Sequence, residues 1–264
     1  MEHRARKRFG QNFLHDRQVI DRIHGAIAAT PGERVVEIGP GQGAITRGLL
    51  SAVGSLDVVE LDRDLVGPLR DRLGPLGDLR IHQADALNFD LCALVHAGER
   101  LRLVGNLPYN ISTPLLFRFL EQADCIEDMH LMLQKEVVER IVADPGDKTY
   151  GRLSVMVQTL CSADCLFRIG AGAFTPAPKV ESAFLRLRPH RPLPYPVDDP
   201  ALHARIVAAA FGQRRKTLRN SLSKLVDAQL LIATGIDPTL RAENLDVESY
   251  ARLANAACKS PLVP

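Results

Sequence analysis

The sequence predicts an α/β fold, a mostly parallel, doubly wound sheet followed by a small all-α domain. Three observations predict it. Short β-branched runs alternate with helix-like segments through most of the chain, the pattern of strand–helix–strand units. The first run ends in a glycine-rich turn that opens a helix. A proline-rich stretch then breaks the pattern, and helical periodicity follows to the end.

The strands come in order. "ERVVEIG" (33–39), "LDVVELD" (56–62), "LRIHQAD" (79–85), "LRLVGN" (101–106) and "DMHLML" (128–133) are short apolar runs of the kind a buried parallel sheet uses. The stretch 45–53 reads as the helix after the first strand. Thr113 and Pro114 read as an N-cap and first helical residue opening "PLLFRFLEQ". "DCLFRIG" (164–170) and "ESAFLRLR" (181–188) are two further strands. They lie closer together than a parallel crossover allows, so an antiparallel edge pair is expected. The sheet then has seven strands.

"RPHRPLPYPVDDP" (188–200) carries too many prolines to extend a helix or sheet. The expected division is a catalytic domain with a basic arm over 1–190, a linker over 191–200 and a helical domain over 201–264. Asp237-Pro238 reads as another helix start.

Composition bounds the function. Among 264 residues, 46% are hydrophobic, which is globular rather than disordered, and a formal net charge of +2 says little about partners. The start, "MEHRARKRFGQNFLHD", is basic and lacks the apolar core of a secretory signal. No apolar run approaches the ~20 residues of a membrane span, so a cytoplasmic protein is expected. Cys161 and Cys165 are the one close pair among five cysteines, and no second pair matches them. Reduced structural thiols are expected, and no metal site. His15, His82 and His130 lack metal-ligand spacing as well.

"EIGPGQGAI" carries the first site signal. Gly39 and Gly41 permit a tight turn and close backbone approach to a ligand, and Gly43 permits close helix packing. Glu60 ends the next strand, ~20 residues on, where a carboxylate accepts ribose hydroxyls. Gly39-x-Gly41-x-x-Ala44 also satisfies the dinucleotide fingerprint, so a dehydrogenase stays open at this point. A glycine turn that binds nothing is the bland alternative, and Glu37 and Glu60 weigh against it. Asp85 ends the third strand and Asn106 the fourth. Ligands of open parallel sheets bind beyond such carboxyl ends. The four positions outline a nucleoside pocket, with ribose at Glu60 and a base amine at Asp85.

"NLPY" (106–109) then asks for a specific chemistry. An exocyclic base amine is a poor nucleophile because its lone pair is delocalised. Two acceptors aimed at its hydrogens favour a pyramidal nitrogen with the lone pair free. Asn106 offers a side-chain carbonyl. A main-chain carbonyl beside Pro108 offers a second, on a restricted backbone. Tyr109 offers a face for a base taken out of its stack. Positioning and fixed dipoles carry such a reaction, and it calls for no metal. A plain proline turn at a strand end is the alternative.

A flipped base takes two faces, which makes Phe174 a candidate for the second. Phe9 and Phe13 are candidates for covering the pocket, with plain core packing as the alternative. Arg205, Arg214, Arg215, Lys216, Arg219 and Lys224 lie in a stretch without acidic residues, 201–226, and "HRARKR" adds charge at the start. Such clusters suit RNA phosphates, with Arg214, Arg215, Lys216 and Arg219 the leading candidates. A solvated basic helix face is the alternative.

"GQNFL", "EIGPGQGAIT", "VELD", "ADAL", "NLPYNISTPLL", "QKEVVERI", "YGRLSV", "PAPKVESAFLRL" and "FGQRRKTLRNSL" occur in this order. Over nearly its whole length the chain resembles the small-subunit (16S) ribosomal RNA adenine N6,N6-dimethyltransferase family. The resemblance implies a Rossmann-like class I methyltransferase domain and S-adenosylmethionine as cofactor. It implies two methyl groups on each of two adjacent adenosines in the 3′-terminal hairpin of small-subunit rRNA. It further implies Asn12, Leu14, Gly39, Glu60, Asp85 and Asn106 at the cofactor, with the target adenine at Asn106, Leu107, Pro108 and Tyr109. Partners would be the small-subunit precursor and its rRNA, with a further role as an assembly checkpoint; the sequence does not fix the oligomeric state, and a monomer is the simplest expectation. "TPAPKV" departs from the family pattern at Ala177, where a further proline is expected; the position lies outside the pocket.

Three other readings compete. A large-subunit rRNA methyltransferase of the macrolide-resistance type shares the chemistry, and the "FGQRRKTLRNSL" and "PAPKVESAFL" blocks disfavour it. A non-catalytic assembly factor would not need the intact Gly39, Glu60, Asp85 and Asn106. A nicotinamide dehydrogenase has no use for Asn-Leu-Pro-Tyr.

Overall fold

The computed structural model describes residues 11–259. Its contacts divide the chain into two compact units, 1–138 with 164–189, and 139–163 with 190–264. The first domain expected over 1–190 is therefore not continuous. Residues 139–163 pack with the helical unit, because Ala143, Tyr150 and Val155 share its buried core with Leu202, Ile206 and Leu253. Hydrophobic periodicity shows that a helix has an apolar face but not which neighbour that face meets.

The first unit opens with β1 (Phe13–Leu14) and α1 (Arg17–Ile27), the latter capped by the Asp16 carboxylate. Then come β2 (Val35–Ile38), α2 (Thr46–Val53), β3 (Ser55–Glu60), α3 (Arg63–Leu73), β4 (Asp78–Gln83) and β5 (Leu101–Asn106). They are followed by α4 (Ser112–Leu120), β6 (Ile126–Gln134) and α5 (Lys135–Ile141). α6 (Arg152–Leu160) precedes β7 (Cys161–Ile169), β8 (Phe174–Thr175) and β9 (Ser182–Pro189).

Seven strands form one sheet in the order β4-β3-β2-β5-β6-β9-β7. β4, β3, β2, β5 and β6 pair in parallel, and β9 joins β6 antiparallel. β2 and β5 occupy the middle, so Val35, Val36, Leu103 and Val104 are fully buried. That accounts for their unbroken apolar runs. β9 and β7 are neighbours at one edge of the sheet, as expected, with β9 on the inner side against β6 and β7 outermost. β1 and β8 form a separate antiparallel pair, Phe13 opposite Thr175 and Leu14 opposite Phe174.

The expected cap at Thr113 moves. α4 begins at Ser112 after Ile111, because the Ile111 N–H closes a turn onto the Pro108 carbonyl at 3.1 Å. The cysteine expectation also changes. Cys92 and Cys125 form a disulfide with Cα atoms 5.4 Å apart. They are 33 residues apart, a separation that belongs to no short pairing motif. The turn Cys92–Leu94 and the start of β6 bring them together.

Besides α6, the second unit contains α7 (Pro200–Gly212), α8 (Leu218–Ser221), α9 (Ala228–Ala233) and α10 (Val247–Cys258). α7 starts at Pro200 under an Asp199 cap, as Pro at the first helical position favours. Phe211 lies between the Tyr150 and Tyr250 rings, at centroid distances of 6.0 and 5.9 Å. Each tyrosine hydroxyl donates to a buried carbonyl, Tyr150 to Leu245 and Tyr250 to Ala242. Asp237 starts no helix. Its carboxylate accepts from the Thr239 N–H and hydroxyl, closing a turn instead.

Candidate active site

The carboxyl ends of β2, β3, β4 and β5 converge on a cavity of about 370 Å³. That is within the usual range for a site that encloses a small organic ligand. Asn12, Gly39, Glu60, Asp85, Asn106, Leu107, Pro108 and Tyr109 all line it.

The glycine turn between β2 and α2 forms the floor. Gly41 has φ +55°, and a Cβ there would come within 3.2 Å of the Phe13 ring. Gly43 has φ +76°, and a Cβ would come within 2.7 Å of Leu73 on α3. Both positions need the left-handed backbone and the empty space together. Arg72 of α3 fastens the turn by donating to the Gln42 carbonyl.

Glu60 ends β3 and is almost fully buried. Its carboxylate accepts from the Gly41 N–H at 3.2 Å and the Asp62 N–H at 2.8 Å. Burial raises its pKa; the two N–H groups oppose the rise and the Asp62 charge adds to it. An ionised carboxylate has about four acceptor positions, so two N–H donors leave capacity for hydroxyls. Asp85 makes a tight local turn, accepting from the Leu87 N–H at 3.0 Å. Leu61, exposed at 47%, and Leu87 supply apolar walls.

The Asn106 carboxamide donates from Nδ2 to the Asn12 carbonyl at 3.1 Å. That bond fixes the amide orientation and turns Oδ1 the other way. The Pro108 carbonyl is used by the turn to Ile111. Leu107 is buried, and its N–H donates to the Met132 carbonyl at 3.2 Å. The Tyr109 hydroxyl meets Ser182 Oγ on β9 at 2.6 Å. Burial raises the Tyr109 pKa and the Ser182 bond opposes it.

Two expected residues lie elsewhere. Leu14 is buried and borders a smaller cavity behind the glycine turn. Phe174 is 2% exposed and packs in the core behind β1. The pairing of Leu14 with Phe174 covers it, so it offers no open face for stacking here. Phe9 and "HRARKR" lie outside the described residues. Sequence reasoning missed Gln11, which borders the cavity and donates to Asp62 at 3.1 Å, and Ser182, the Tyr109 tether. Ser182 stands 73 residues from Tyr109 and carries no local signal.

In the helical unit, Arg205, Arg214, Arg215, Lys216, Arg219 and Lys224 are exposed. The Arg214 guanidinium donates to the Lys148 carbonyl at 2.9 Å and to the Glu243 carboxylate at 3.1 Å. Among the described residues no group of three His, Cys, Asp or Glu side chains is placed to hold a metal, and no helix is long and apolar enough to cross a membrane.

Known proteins resemble the chain along its length. The family model described as Ribosomal RNA adenine dimethylase matches residues 2–259. A Pseudomonas aeruginosa protein named Ribosomal RNA small subunit methyltransferase A is 56% identical over 260 residues, 98% of this chain and 97% of that one. A Marinomonas protein of the same name is 54% identical over 257 residues, 97% of each. The structure of the 23S rRNA methyltransferase ErmE superposes with a TM-score of 0.71 at 26% identity, covering 94% of this chain and all of that one. A dimethyladenosine transferase from Plasmodium falciparum gives 0.79 at 24% identity, covering 91% and 95%, and shares the fold.

Proposed function

The chain belongs to the ribosomal RNA adenine dimethylase family, and from that premise we propose that it methylates the N6 amines of two adjacent adenosines in the 3′-terminal hairpin of small-subunit rRNA. The products are N6,N6-dimethyladenosines and the methyl donor is S-adenosylmethionine. Relatives named for the small subunit reach 56% identity, whereas the large-subunit enzyme ErmE stands at 26%, which favours the small subunit as substrate.

The observation that carries the reading is the Asn106 carboxamide. The Asn12 carbonyl orients it at the mouth of a nucleoside-sized cavity. When bound, S-adenosylmethionine supplies an electrophilic methyl group on a sulfonium. Glu60 accepts the ribose hydroxyls and Asp85 the adenine amine of that cofactor. Asn106 Oδ1 and the Leu107 carbonyl accept the two hydrogens of the target amine, and they free its lone pair. Pro108 holds the turn that aims the second carbonyl, and the Tyr109 ring receives the flipped base. The acidic proton of the alkylated nitrogen then leaves to solvent. Fixed dipoles of this kind act without reorganising at the moment of reaction.

Arg215, Lys216 and Arg219 are proposed as phosphate contacts. The partner is the small-subunit precursor, bound by a monomer in the cytoplasm, and release after methylation makes the enzyme an assembly checkpoint. A transfer assay with methyl-labelled S-adenosylmethionine and unmethylated small subunits tests the reading, with large subunits as control. Label recovered as dimethyladenosine in small-subunit RNA alone is expected. Bound particles without label would overturn the catalytic reading in favour of a non-catalytic assembly factor.

A further inference from the structure

Glu37 is a second buried carboxyl at the site, and the reaction described above does not use it. It stands on β2 two residues before Gly39 and is 2% exposed. Its register partners are apolar, Val58 on β3 and Val104 on β5. On α2, the Thr46 hydroxyl is its polar neighbour, yet neither Glu37 Oε2 nor Thr46 Oγ1 completes a hydrogen bond. The charged group that acts on it is Glu60, of like sign. Phe13 and Leu14 of β1 and Ile45 of the glycine turn close the space around it. Together with Gly39 and Asn106, which also border the main cavity, Glu37 lines a cavity of about 20 Å³.

A buried carboxylate with an oxygen that no donor reaches and no counter-charge beside it is costly, and such a group takes up a proton instead. Burial raises the Glu37 carboxyl to about 8; the Thr46 hydroxyl opposes that rise and the Glu60 charge adds to it. A cation placed against Gly39 and Asn106 supplies the missing counter-charge. S-adenosylmethionine carries two positive groups, a sulfonium and an ammonium.

We propose that Glu37 is protonated in the cofactor-free enzyme and ionises when the cationic cofactor binds, so that cofactor binding is coupled to proton release. The inference rests on S-adenosylmethionine being the cofactor. The step balances as a carboxylic acid becoming a carboxylate, with its proton leaving to buffer. The Glu37 contribution to cofactor affinity then rises with pH up to about 8, where free Glu37 is itself ionised, and levels above it. S-adenosylhomocysteine keeps the ammonium but lacks the sulfonium, so it draws out less of the proton. The preference for substrate cofactor over product therefore also rises with pH across this window, which favours product release after each transfer.

Titration calorimetry of the full chain at pH 7, in buffers of different ionisation enthalpy, counts the protons. The cofactor's own amine titrates near ~7.7–8.0, so the difference between wild type and Glu37→Gln isolates Glu37. The expected difference is about 0.5–0.9 proton per S-adenosylmethionine, and a smaller one for S-adenosylhomocysteine. Infrared difference spectra of wild-type protein with labelled glutamate read the same event without a substitution. Loss of a protonated-carboxyl band on adding S-adenosylmethionine is expected. Binding heat with no proton difference, or an unchanged carboxyl band, overturns the coupling and leaves the cofactor assignment standing. No binding heat in any buffer overturns the cofactor assignment itself.

Discussion

Asn106 and Asn12 are 94 residues apart in sequence, yet the Asn106 side chain donates to the Asn12 main-chain carbonyl at 3.1 Å. The bond gives an otherwise rotatable carboxamide one orientation. It depends on the segment that forms β1, which is held by pairing with β8 and by the His15 N–H donating to the Ala173 carbonyl at 2.9 Å. Residues from both ends of the first unit therefore set the geometry at the end of β5.

Asn106→Ala removes the oriented acceptor. We expect kcat to fall by about 10²–10³-fold, the scale of losing one preorganised dipole at a reacting centre. Thermal unfolding should stay close to wild type. Methyl-transfer rates near wild type in this variant would sink the assigned role.

Tyr109→Ala should cost about 1–3 kcal/mol in kcat/KM through lost base stacking. Ser182→Ala keeps the ring but releases its hydroxyl, so about 0.5–1.5 kcal/mol is expected. Single-turnover methylation of small subunits separates the two. A Ser182→Ala loss as large as that of Tyr109→Ala would mean that the phenol matters more than the ring.

Arg102 at the start of β5 pairs with Asp128 at 2.9 Å and Glu33 at 3.0 Å and is mostly shielded from solvent. Burial pushes the Asp128 carboxyl up, but the His130 ring 3.5 Å away and the bonds from Arg102 outweigh it and hold the carboxyl at about 2. A depressed carboxyl contributes stability above its unfolded pKa of ~3.9 and loses it as pH falls toward ~2. Urea unfolding of the wild type should therefore weaken steeply between about pH 4 and 2. Arg102→Met strands Asp128 and should destabilise by about 3–5 kcal/mol at neutral pH. A change below about 1 kcal/mol would show that solvent replaces the pair.

Among the basic residues, Arg214 and its neighbours should separate. Arg214→Ala loses contacts to Lys148 and Glu243 within its own unit, so its main effect is expected on thermal stability. Arg215→Ala with Lys216→Ala should leave stability unchanged and lower the slope of log affinity against log salt by about 1–2 for small subunits. An unaltered slope would remove both residues from the RNA interface.

The pocket was legible because its residues sit where local rules put them. A glycine turn after a strand and polar residues at the ends of β3, β4 and β5 are short-range features, and the cavity collects them all. Ser182 and the Cys92–Cys125 disulfide were not legible. Each joins segments that only strand pairing or a returning loop brings together. Thr113 and Asp237 misled for the opposite reason. Their local helix-start signals were real, but the Pro108–Ile111 turn and the Asp237–Thr239 turn used the same backbone groups.

Local sequence alone set the alternation of strands and helices, the glycine turn and the order of the polar strand ends. These follow from periodicities of a few residues and from backbone limits on glycine and proline. Long-range packing placed residues 139–163 in the helical unit, brought β9 into the sheet beside β6 and buried Phe174 behind β1. It also left Glu37 Oε2 buried without a hydrogen bond. The physical reason is common to all four. An apolar face or a carboxyl has its energy set by what covers it, and residues distant in sequence supply the cover.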